Sequence, residues 1–167
     1  MMRSWWMWAV MAGIMMLVTM SSGGCTPSMT GRESVRVVEV VDGDTLVVRV
    51  SSGAQVHVRI LGVDTPETKK PSVPVQCFGP EAEAYTRALL AGTTVTLIAD
   101  VETQDRYGRR LAYVEYRGRD VGHTLLAEGY ARFLVIAPNG RRARKYLSAE
   151  LAARRAQRGL WGACEAQ

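Results

Sequence analysis

Four carboxylates fall in two short clusters, and two arginines lie near them in the sequence. The clusters are residues 42–44 (Asp-Gly-Asp) and 64–67 (Asp-Thr-Pro-Glu), with Arg59 before the second and Arg109 further on. Neighbouring carboxylates repel each other unless a cation joins them, and ligands that are all oxygen suit Ca²⁺ or Mg²⁺ better than zinc. Arginine can donate paired hydrogen bonds to phosphate. Together these residue types indicate a phosphodiester-cleaving site built around a hard metal ion.

Short runs of β-branched residues predict the strands that must position these groups. The predicted strands are residues 35–41, 46–50, 56–60, 95–98 and 111–116. Residues 42–44 and 51–54 (Ser-Ser-Gly-Ala) are typical of tight turns, so the first three strands are expected to be antiparallel. In the third strand the aliphatic residues share one face, and Arg59 lies on the other.

Three helices are predicted, at about residues 81–90, 121–128 and 141–158. Pro80 falls in the first turn of the first helix, and Asp120 is placed to cap the second. In the third helix Leu147 and Leu151 lie one turn apart. We therefore expect an α+β fold that is mainly β: a five-stranded closed barrel of the OB type with three helices packed outside, since closure removes exposed strand edges.

The composition of the 167-residue chain, 47% apolar and 22% charged, is that of a globular protein with one core and no second domain. A net charge of +5 favours a polyanionic partner, although this signal is weak by itself. The basic residues between 141 and 158 are typical of a solvated helix face. His57 and His123 are far apart and lack motif context, so they are interpreted as structural or surface residues.

The N-terminal segment has the pattern of an export signal. Arg3 is followed by an apolar run over residues 5–20, and small residues then lead to Cys25. This end resembles the cleavage and lipidation site of bacterial lipoproteins, although Ser22 replaces the usual aliphatic residue, which leaves an uncleaved membrane anchor or an ordinary signal cut nearby as alternatives. We expect a signal and lipidation segment at 1–25, a tether at 26–34 and a folded domain at 35–165.

The three cysteines divide naturally if the protein is exported. Cys25 would carry the lipid, and Cys77 and Cys164 would form a disulfide in an oxidising compartment. The alternative is two buried free thiols. The expected location is the cell envelope, with a membrane-anchored lipoprotein preferred over a secreted or periplasmic protein, and the expected state is a monomer.

Several blocks of sequence carry a family resemblance. They are residues 42–45 (Asp-Gly-Asp-Thr), 59–68 (Arg-Ile-Leu-Gly-Val-Asp-Thr-Pro-Glu-Thr), 79–82 (Gly-Pro-Glu-Ala), 105–109 (Asp-Arg-Tyr-Gly-Arg), 111–114 (Leu-Ala-Tyr-Val) and 159–161 (Gly-Leu-Trp). In this order they resemble the thermonuclease (staphylococcal nuclease) family, and the likeness spans about residues 35–161. The resemblance implies a five-stranded OB-type barrel with three helices, in agreement with the pattern of strands and helices.

The resemblance also implies a Ca²⁺ site. Asp44 and Asp64 would be direct ligands, the backbone carbonyl of Thr65 a third, and Asp42 would lie close by, through water. Calcium takes six to eight oxygen ligands and accepts carbonyls and waters, so a loop at the end of a strand can supply this set. Taken alone, the Asp-Gly-Asp sequence would be interpreted as a plain turn.

The same likeness implies roles around the scissile phosphate. Glu67 would position or deprotonate the attacking water, and Arg59 and Arg109 would bind the phosphate, where donors act most strongly on the charge of a five-coordinate phosphorus. Tyr107 and Arg106 would line the nucleotide site. A further tyrosine is expected just before Pro138-Asn139, where this chain has Leu-Val-Ile-Ala at residues 134–137.

The sequence therefore predicts a Ca²⁺-dependent nuclease that hydrolyses DNA, with RNA as a further candidate substrate, to 3′-phosphorylated products. One rival is a non-catalytic OB-type module that binds single-stranded nucleic acid at the cell envelope. Another is an envelope protein whose barrel mediates protein contacts. The complete set of carboxylates and arginines argues against both, since neither activity needs carboxylates that repel each other.

Overall fold

The β-branched runs form the strands of a barrel in the computed structural model, which describes residues 31–69 and 74–164. The strands are β1 (Arg32–Val40), β2 (Thr45–Arg49), β3 (Gln55–Ile60), β4 (Val63–Asp64), β5 (Thr94–Ile98), β6 (Arg110–Tyr116), β7 (Arg119–Asp120) and β8 (Arg132–Phe133). The predicted signal segment with Cys25, and residues 26–30 of the predicted tether, lie outside the described residues. Within the described ranges, none of the helices has the length and hydrophobicity needed to span a bilayer.

Five strands close the barrel. Strand β1 pairs with β2 and β5, β2 pairs with β3, and β5 pairs with β6, all antiparallel, while a parallel pairing of β3 with β6 completes the ring. The register of β1 against β2 shifts between Val37 and Glu39, a bulge of the kind that bends a strand. The bend suits a strand that must pair on both sides. The predicted five-stranded barrel is confirmed.

Three main helices pack outside the barrel as predicted, and a fourth short one follows them. They are α1 (Gly79–Leu90), α2 (Val121–Ala127), α3 (Ala143–Arg155) and α4 (Leu160–Ala163). Pro80 lies in the first turn of α1. Asp120 caps α2, since its Oδ1 accepts a hydrogen bond from the His123 N–H at 3.2 Å.

The start of β1, the end of α3 and the buried face of α3 differ from the predictions. Residues 32–34, assigned to the tether, lie in β1 because they pair with β5. The third helix was expected to run to 158 but ends at Arg155, since Gln157 adopts a φ of 48° and turns the chain before α4. Its buried face contains Tyr146, Ala149 and Ala153, whereas Leu147 and Leu151 are about two-fifths exposed.

Tyr146 of α3 ties the helices to the barrel. Its side chain is fully buried, and its hydroxyl donates a hydrogen bond to Asp120 Oδ1 at 2.6 Å. Burial and the charge of Asp120 raise the Tyr146 pKa above its ordinary range. A Cβ added at Gly62 or Gly122 would lie 2.6 Å from Tyr146 atoms, so only glycine fits at these two positions.

A disulfide joins two parts of the chain that are distant in sequence. Cys77 precedes α1 and Cys164 follows α4, and their Cα atoms lie 5.9 Å apart. This is the pairing expected from the cysteine count. The bond therefore fastens the segment before α1 to the C-terminal end of the described chain.

Candidate active site

The turn between β1 and β2 carries the first acidic cluster. Asp42 Oδ1 accepts a hydrogen bond from the Asp44 N–H at 3.1 Å, which fixes the turn locally. Gly43 has no room for a side chain, because a Cβ there would lie 2.7 Å from Thr65 Cγ2. The Gly43 carbonyl accepts a hydrogen bond from Thr86 Oγ1 of α1 at 2.9 Å. The turn is thus held against the second acidic cluster on one side and α1 on the other.

Asp44 is a buried carboxylate with several partners. Only 5% of the residue is exposed. Its Oδ1 accepts from Thr45 Oγ1 at 3.0 Å, and its Oδ2 accepts from the Thr65 N–H at 3.1 Å. The Arg59 Nη2 lies 3.0 Å from the same Oδ2. These donors and the nearby positive charge offset the cost of burying the carboxylate.

Arg59 supplies that charge from the neighbouring strand. In the register of β2 and β3 it lies opposite Thr45, so the side chain is delivered beside Asp44. Its Nη1 donates to the carbonyls of Ile60 and Val63, both at 2.7 Å. Its Nη2 contacts Asp44 at 3.0 Å and Asp64 Oδ1 at 3.3 Å. The guanidinium therefore bridges the two carboxylates that the family resemblance implies as metal ligands.

The oxygen atoms around Asp44 and Asp64 can be compared with the ligands that different metal ions prefer. Among the described residues, no three His, Cys, Asp or Glu side chains converge on one point as they would around a bound ion. Two carboxylates do lie against a single atom, Arg59 Nη2, and Thr65 is packed beside them. Calcium accepts two carboxylates when carbonyls and waters complete its shell, whereas a structural zinc site needs four protein ligands. The residues fit a hard, oxygen-preferring ion.

Asp42 is repelled by the other carboxylates of this cluster. Burial, followed by the negative charge of Asp44, raises the pKa of the Asp42 carboxyl from 3.8 to about 6, and Glu67 contributes in the same direction. Asp44 and Glu67 are thus close enough to disfavour the charged form of Asp42. A cation bound between them would relieve this repulsion.

Glu67 lies in the loop after β4. Its backbone N–H donates to Gln76 Oε1 at 3.0 Å, and its backbone carbonyl accepts from the Gln76 N–H at 3.0 Å. Its carboxylate Oε1 accepts from the N–H groups of Thr68 and Lys69, at 3.0 and 2.9 Å. The loop also packs closely on α1, since a Cβ at Gly79 would lie 3.1 Å from the Glu67 carbonyl.

Arg109 reaches the site from the turn before β6. Asp105 holds this turn: its Oδ1 accepts from the backbone N–H groups of Tyr107 and Arg109, both at 2.9 Å, and its Oδ2 accepts from Arg109 Nε at 2.8 Å. The Arg109 guanidinium lies 5.5 Å from the centre of the Tyr107 ring. Tyr107 itself is 68% exposed, and Arg106 lies over its ring at 4.8 Å. The exposed ring offers a stacking surface.

These groups line one cavity of about 560 Å³. Its walls are Val41, Asp42, Asp44, Thr45, Arg59, Asp64, Thr65, Glu67, Lys69, Tyr107 and Arg109. Of the residues assigned from the sequence to metal, catalysis or nucleotide binding, only Arg106 is outside this wall. Two arginines, an ordered set of carboxylates and an exposed aromatic ring thus face the same space, which suits a phosphate ester with an attached base.

Sequence reasoning did not find every residue around the cavity. Gln76, which holds the backbone of Glu67, gave no signal because a single glutamine in a proline-rich loop belongs to no motif. A second cavity of about 380 Å³, between α1, β7 and α2, contains none of the predicted site residues. Leu134 and Val135, at the place of the expected tyrosine, are 42% and 47% exposed and lie outside the larger cavity's wall.

The chain is similar to known nucleases over most of the described domain. A family model described as "Staphylococcal nuclease homologue" matches residues 57–163. The chain is 38% identical over 135 residues to the thermonuclease of Staphylococcus hyicus, covering 80% of this chain and 79% of that protein. It is 40% identical over 130 residues to the thermonuclease of Staphylococcus intermedius, covering 77% and 76%. Endonuclease YncB of Bacillus subtilis is 43% identical over 108 residues, covering 64% of this chain and 51% of that protein.

Proposed function

Because the chain belongs to the staphylococcal nuclease family and is a nuclease, we propose that it is a Ca²⁺-dependent endonuclease that hydrolyses DNA and RNA to 3′-phosphorylated products. The observation that supports this is the shared cavity. Arg59, Glu67 and Arg109 line it together with Asp44 and Asp64, although they come from three separate parts of the chain. A binding module would not need a buried carboxylate at its floor.

The family needs a metal ion, and calcium is the ion proposed here. Asp44, Asp64 and the carbonyl of Thr65 would hold it, with Asp42 close by. When bound, such an ion polarises a phosphate oxygen and offsets the charge that develops on it. Calcium is favoured over zinc because every donor is oxygen and no thiol or imidazole is among them.

The arginines bind and polarise the scissile phosphate in this proposal. Arg109 is about one-third exposed, so its guanidinium can meet a substrate in the cavity while Asp105 fixes its direction. Arg59 is almost fully buried and already contacts four protein acceptors. It therefore acts from the floor of the cavity, where low solvent exposure strengthens its field on the extra charge of the transition state.

Glu67 acts on the water that attacks phosphorus. Glu67 lines the cavity on a loop fixed by hydrogen bonds, so a water in the cavity next to its carboxylate can be oriented or deprotonated by it. The water attacks in line and the 5′-oxygen leaves, so the phosphate stays on the 3′-oxygen of the upstream fragment and the downstream fragment has a free 5′-hydroxyl. Tyr107 offers its exposed ring to a neighbouring base.

We also propose export of the domain as a monomer with a lipid on Cys25. The disulfide between Cys77 and Cys164 supports an oxidising compartment, where such bonds persist. A fatty-acyl mass on the peptide that contains Cys25 would test the anchor. An unmodified N-terminus generated beyond Cys25 would instead indicate an ordinary secreted protein.

The activity is tested by incubating the purified protein with single-stranded DNA, double-stranded DNA and RNA, with Ca²⁺ or with a chelator. Cleavage is expected with Ca²⁺ and not with chelator. Glu67→Gln and Arg109→Ala should each lower the rate by at least about 100-fold, since each removes a group that acts in the transition state. End-labelled products then show whether the phosphate is at the 3′ end.

A matched control is Arg49→Ala, which removes one positive charge from an exposed position in β2 outside the cavity. It should cleave like the unaltered protein. Nucleic-acid binding without cleavage under every metal condition would favour the OB-type binding module, and neither binding nor cleavage would favour a protein-contact role.

A further inference from the structure

Gln76 makes two hydrogen bonds with the backbone of Glu67. The Glu67 N–H donates to Gln76 Oε1 at 3.0 Å, and the Gln76 N–H donates to the Glu67 carbonyl at 3.0 Å. One contact depends on the Gln76 side chain and the other on its backbone. The side-chain contact can therefore be removed by substitution while the backbone contact remains.

The carboxylate of Glu67 follows its backbone closely. Its Oε1 accepts hydrogen bonds from the N–H groups of Thr68 and Lys69, so the side chain is folded back on its own loop. Any shift of the backbone at Glu67 would therefore move the carboxylate within the cavity. Displacements of about 1 Å at a reacting group can cost on the order of 100-fold in rate.

Gln76 is itself fixed by a covalent bond next to it. Cys77 follows Gln76 directly and is joined to Cys164, whose N–H donates to the Leu160 carbonyl of α4 at 3.1 Å. The Gly79 N–H also donates to the Gln76 carbonyl at 3.0 Å. Gln76 is thus anchored to α4 through the disulfide and to α1 through this hydrogen bond.

We propose that Gln76, anchored by the Cys77–Cys164 disulfide, is a positioning residue that holds Glu67 in place for attack on the phosphodiester, so that full nuclease activity depends on the oxidised form. This inference rests on the proposed function, since it assigns Glu67 to the reaction. It adds a redox requirement that the carboxylates, arginines and metal do not by themselves create.

Because Gln76 is exposed, an effect of its substitution on catalysis can be distinguished from an effect on stability. Gln76 and Cys77 are exposed residues, and a solvent-exposed hydrogen bond contributes little to global stability. A substitution at Gln76 should therefore leave the unfolding midpoint unchanged. A change in turnover would then report the position of Glu67 and not a loss of folded protein.

The first experiment compares Gln76→Met with Gln76→Glu. Methionine has a similar length but no acceptor oxygen, whereas glutamate keeps an oxygen that can accept the Glu67 N–H. We expect Gln76→Met to lower kcat about tenfold with KM unchanged, and Gln76→Glu to retain kcat within about twofold. Gln55→Met, at an exposed position in β3, is the matched control and should keep both constants.

A second readout does not depend on catalysis. Amide hydrogen exchange at Glu67, measured by NMR, should accelerate about tenfold in Gln76→Met and stay slow in Gln76→Glu, because only methionine removes the acceptor of that N–H. If the unaltered protein cleaves no nucleic acid, the proposed function fails, and this exchange measurement still decides whether Gln76 holds Glu67.

The disulfide arm uses the double variant Cys77→Ser, Cys164→Ser, assayed well below its unfolding temperature. Its kcat should also fall about tenfold with KM unchanged, and adding Gln76→Met should lower it by less than twofold more, since both changes release the same loop. Wild-type kcat in Gln76→Met, equal loss in Gln76→Glu, or fully additive losses in the combined variant would each overturn the proposal.

Discussion

Replacing Arg59 with methionine tests the electrostatic floor of the cavity. Arg59 is 5% exposed and Asp44, its partner at 3.0 Å, is equally buried. Methionine keeps most of the apolar stem but removes the charge and every donor. The change therefore leaves the Asp44 carboxylate buried without its cation, and the carbonyls of Ile60 and Val63 without a donor from this side chain.

The magnitude follows from which partners are buried. Breaking a buried ion pair by removing one member costs about 3–5 kcal/mol. The contact with Asp64 adds little, because that side chain is 54% exposed and its charge is solvated. In the presence of chelator, we expect the unfolding free energy of Arg59→Met to be about 3–5 kcal/mol lower than that of the unaltered protein. This corresponds to a Tm lower by roughly 10–20 °C for a domain of this size.

The assay is urea and thermal unfolding with chelator and with Ca²⁺. Calcium should stabilise Arg59→Met by a larger increment than the unaltered protein, since the ion replaces a missing positive charge between Asp44 and Asp64. Adding Asp44→Asn should restore part of the loss, because it removes the stranded carboxylate. A loss no larger than that of the exposed control Arg49→Met, or the absence of recovery in the double variant, would refute this reasoning.

Three further predictions concern acid stability, the disulfide and substrate affinity. Burial alone would raise the pKa of Glu115, but hydrogen bonds from Arg142 and Arg32 outweigh it and hold that pKa below its ordinary value of 4.5. The folded state therefore binds this proton less readily than the unfolded state, so stability is present above that value and is lost as pH falls through the folded pKa; Glu115→Gln should flatten this part of a urea-midpoint profile. Replacing Cys77 and Cys164 by serine, which opens a link between residues 87 apart, should cost about 4–5 kcal/mol of unfolding free energy, and a loss below about 1 kcal/mol would contradict the chain-entropy estimate. Leu134→Tyr, at an exposed position just after β8, should lower KM by about fivefold or more through base stacking while kcat stays constant, and an unchanged KM would show that this position does not meet substrate.

Strong local patterns account for what the sequence predicted of the fold. Alternating β-branched residues and short turn sequences located all five barrel strands, and the positions of Pro80 and Asp120 located two helix starts. Strands β4, β7 and β8 were missed because each has only two residues and therefore no period to recognise. Their pairing is decided by tertiary packing, as in β4 and β8, where Asp64 lies opposite Arg132 in the antiparallel register.

The third helix illustrates how spacing alone can select the wrong face. Leu147 and Leu151 lie one turn apart, yet both are about two-fifths exposed. The buried residue at the start of α3 is Tyr146, whose hydroxyl reaches the Asp120 carboxylate. An aromatic side chain with one polar atom fills this space because it packs against two glycines and still satisfies its hydroxyl, which no hydrophobicity count reveals.

The candidate site divides in the same way between motif and packing. Motifs identified most of the residues that line the cavity, but the sequence could not show that Arg59 lies between Asp44 and Asp64 or that Gln76 holds Glu67. These contacts join residues through strand register and loop closure. They are set by the whole fold and leave no local signature.

The residues that line the cavity differ in how much they contribute to stability and to catalysis. Asp44 lies in the turn directly before β2 and Arg59 lies in β3, and both are buried, so a substitution there disturbs folding and activity together. Glu67 and Arg109 come from loops outside the barrel strands and are more exposed, so their substitutions should lower activity with little loss of stability. A loop residue keeps its place through local contacts, which for Glu67 include the two hydrogen bonds with Gln76 and, through the neighbouring Cys77, the disulfide. Reduction of the disulfide should therefore displace the Glu67 carboxylate before it unfolds the protein. Most of the turnover should be lost while the protein is still folded at the assay temperature.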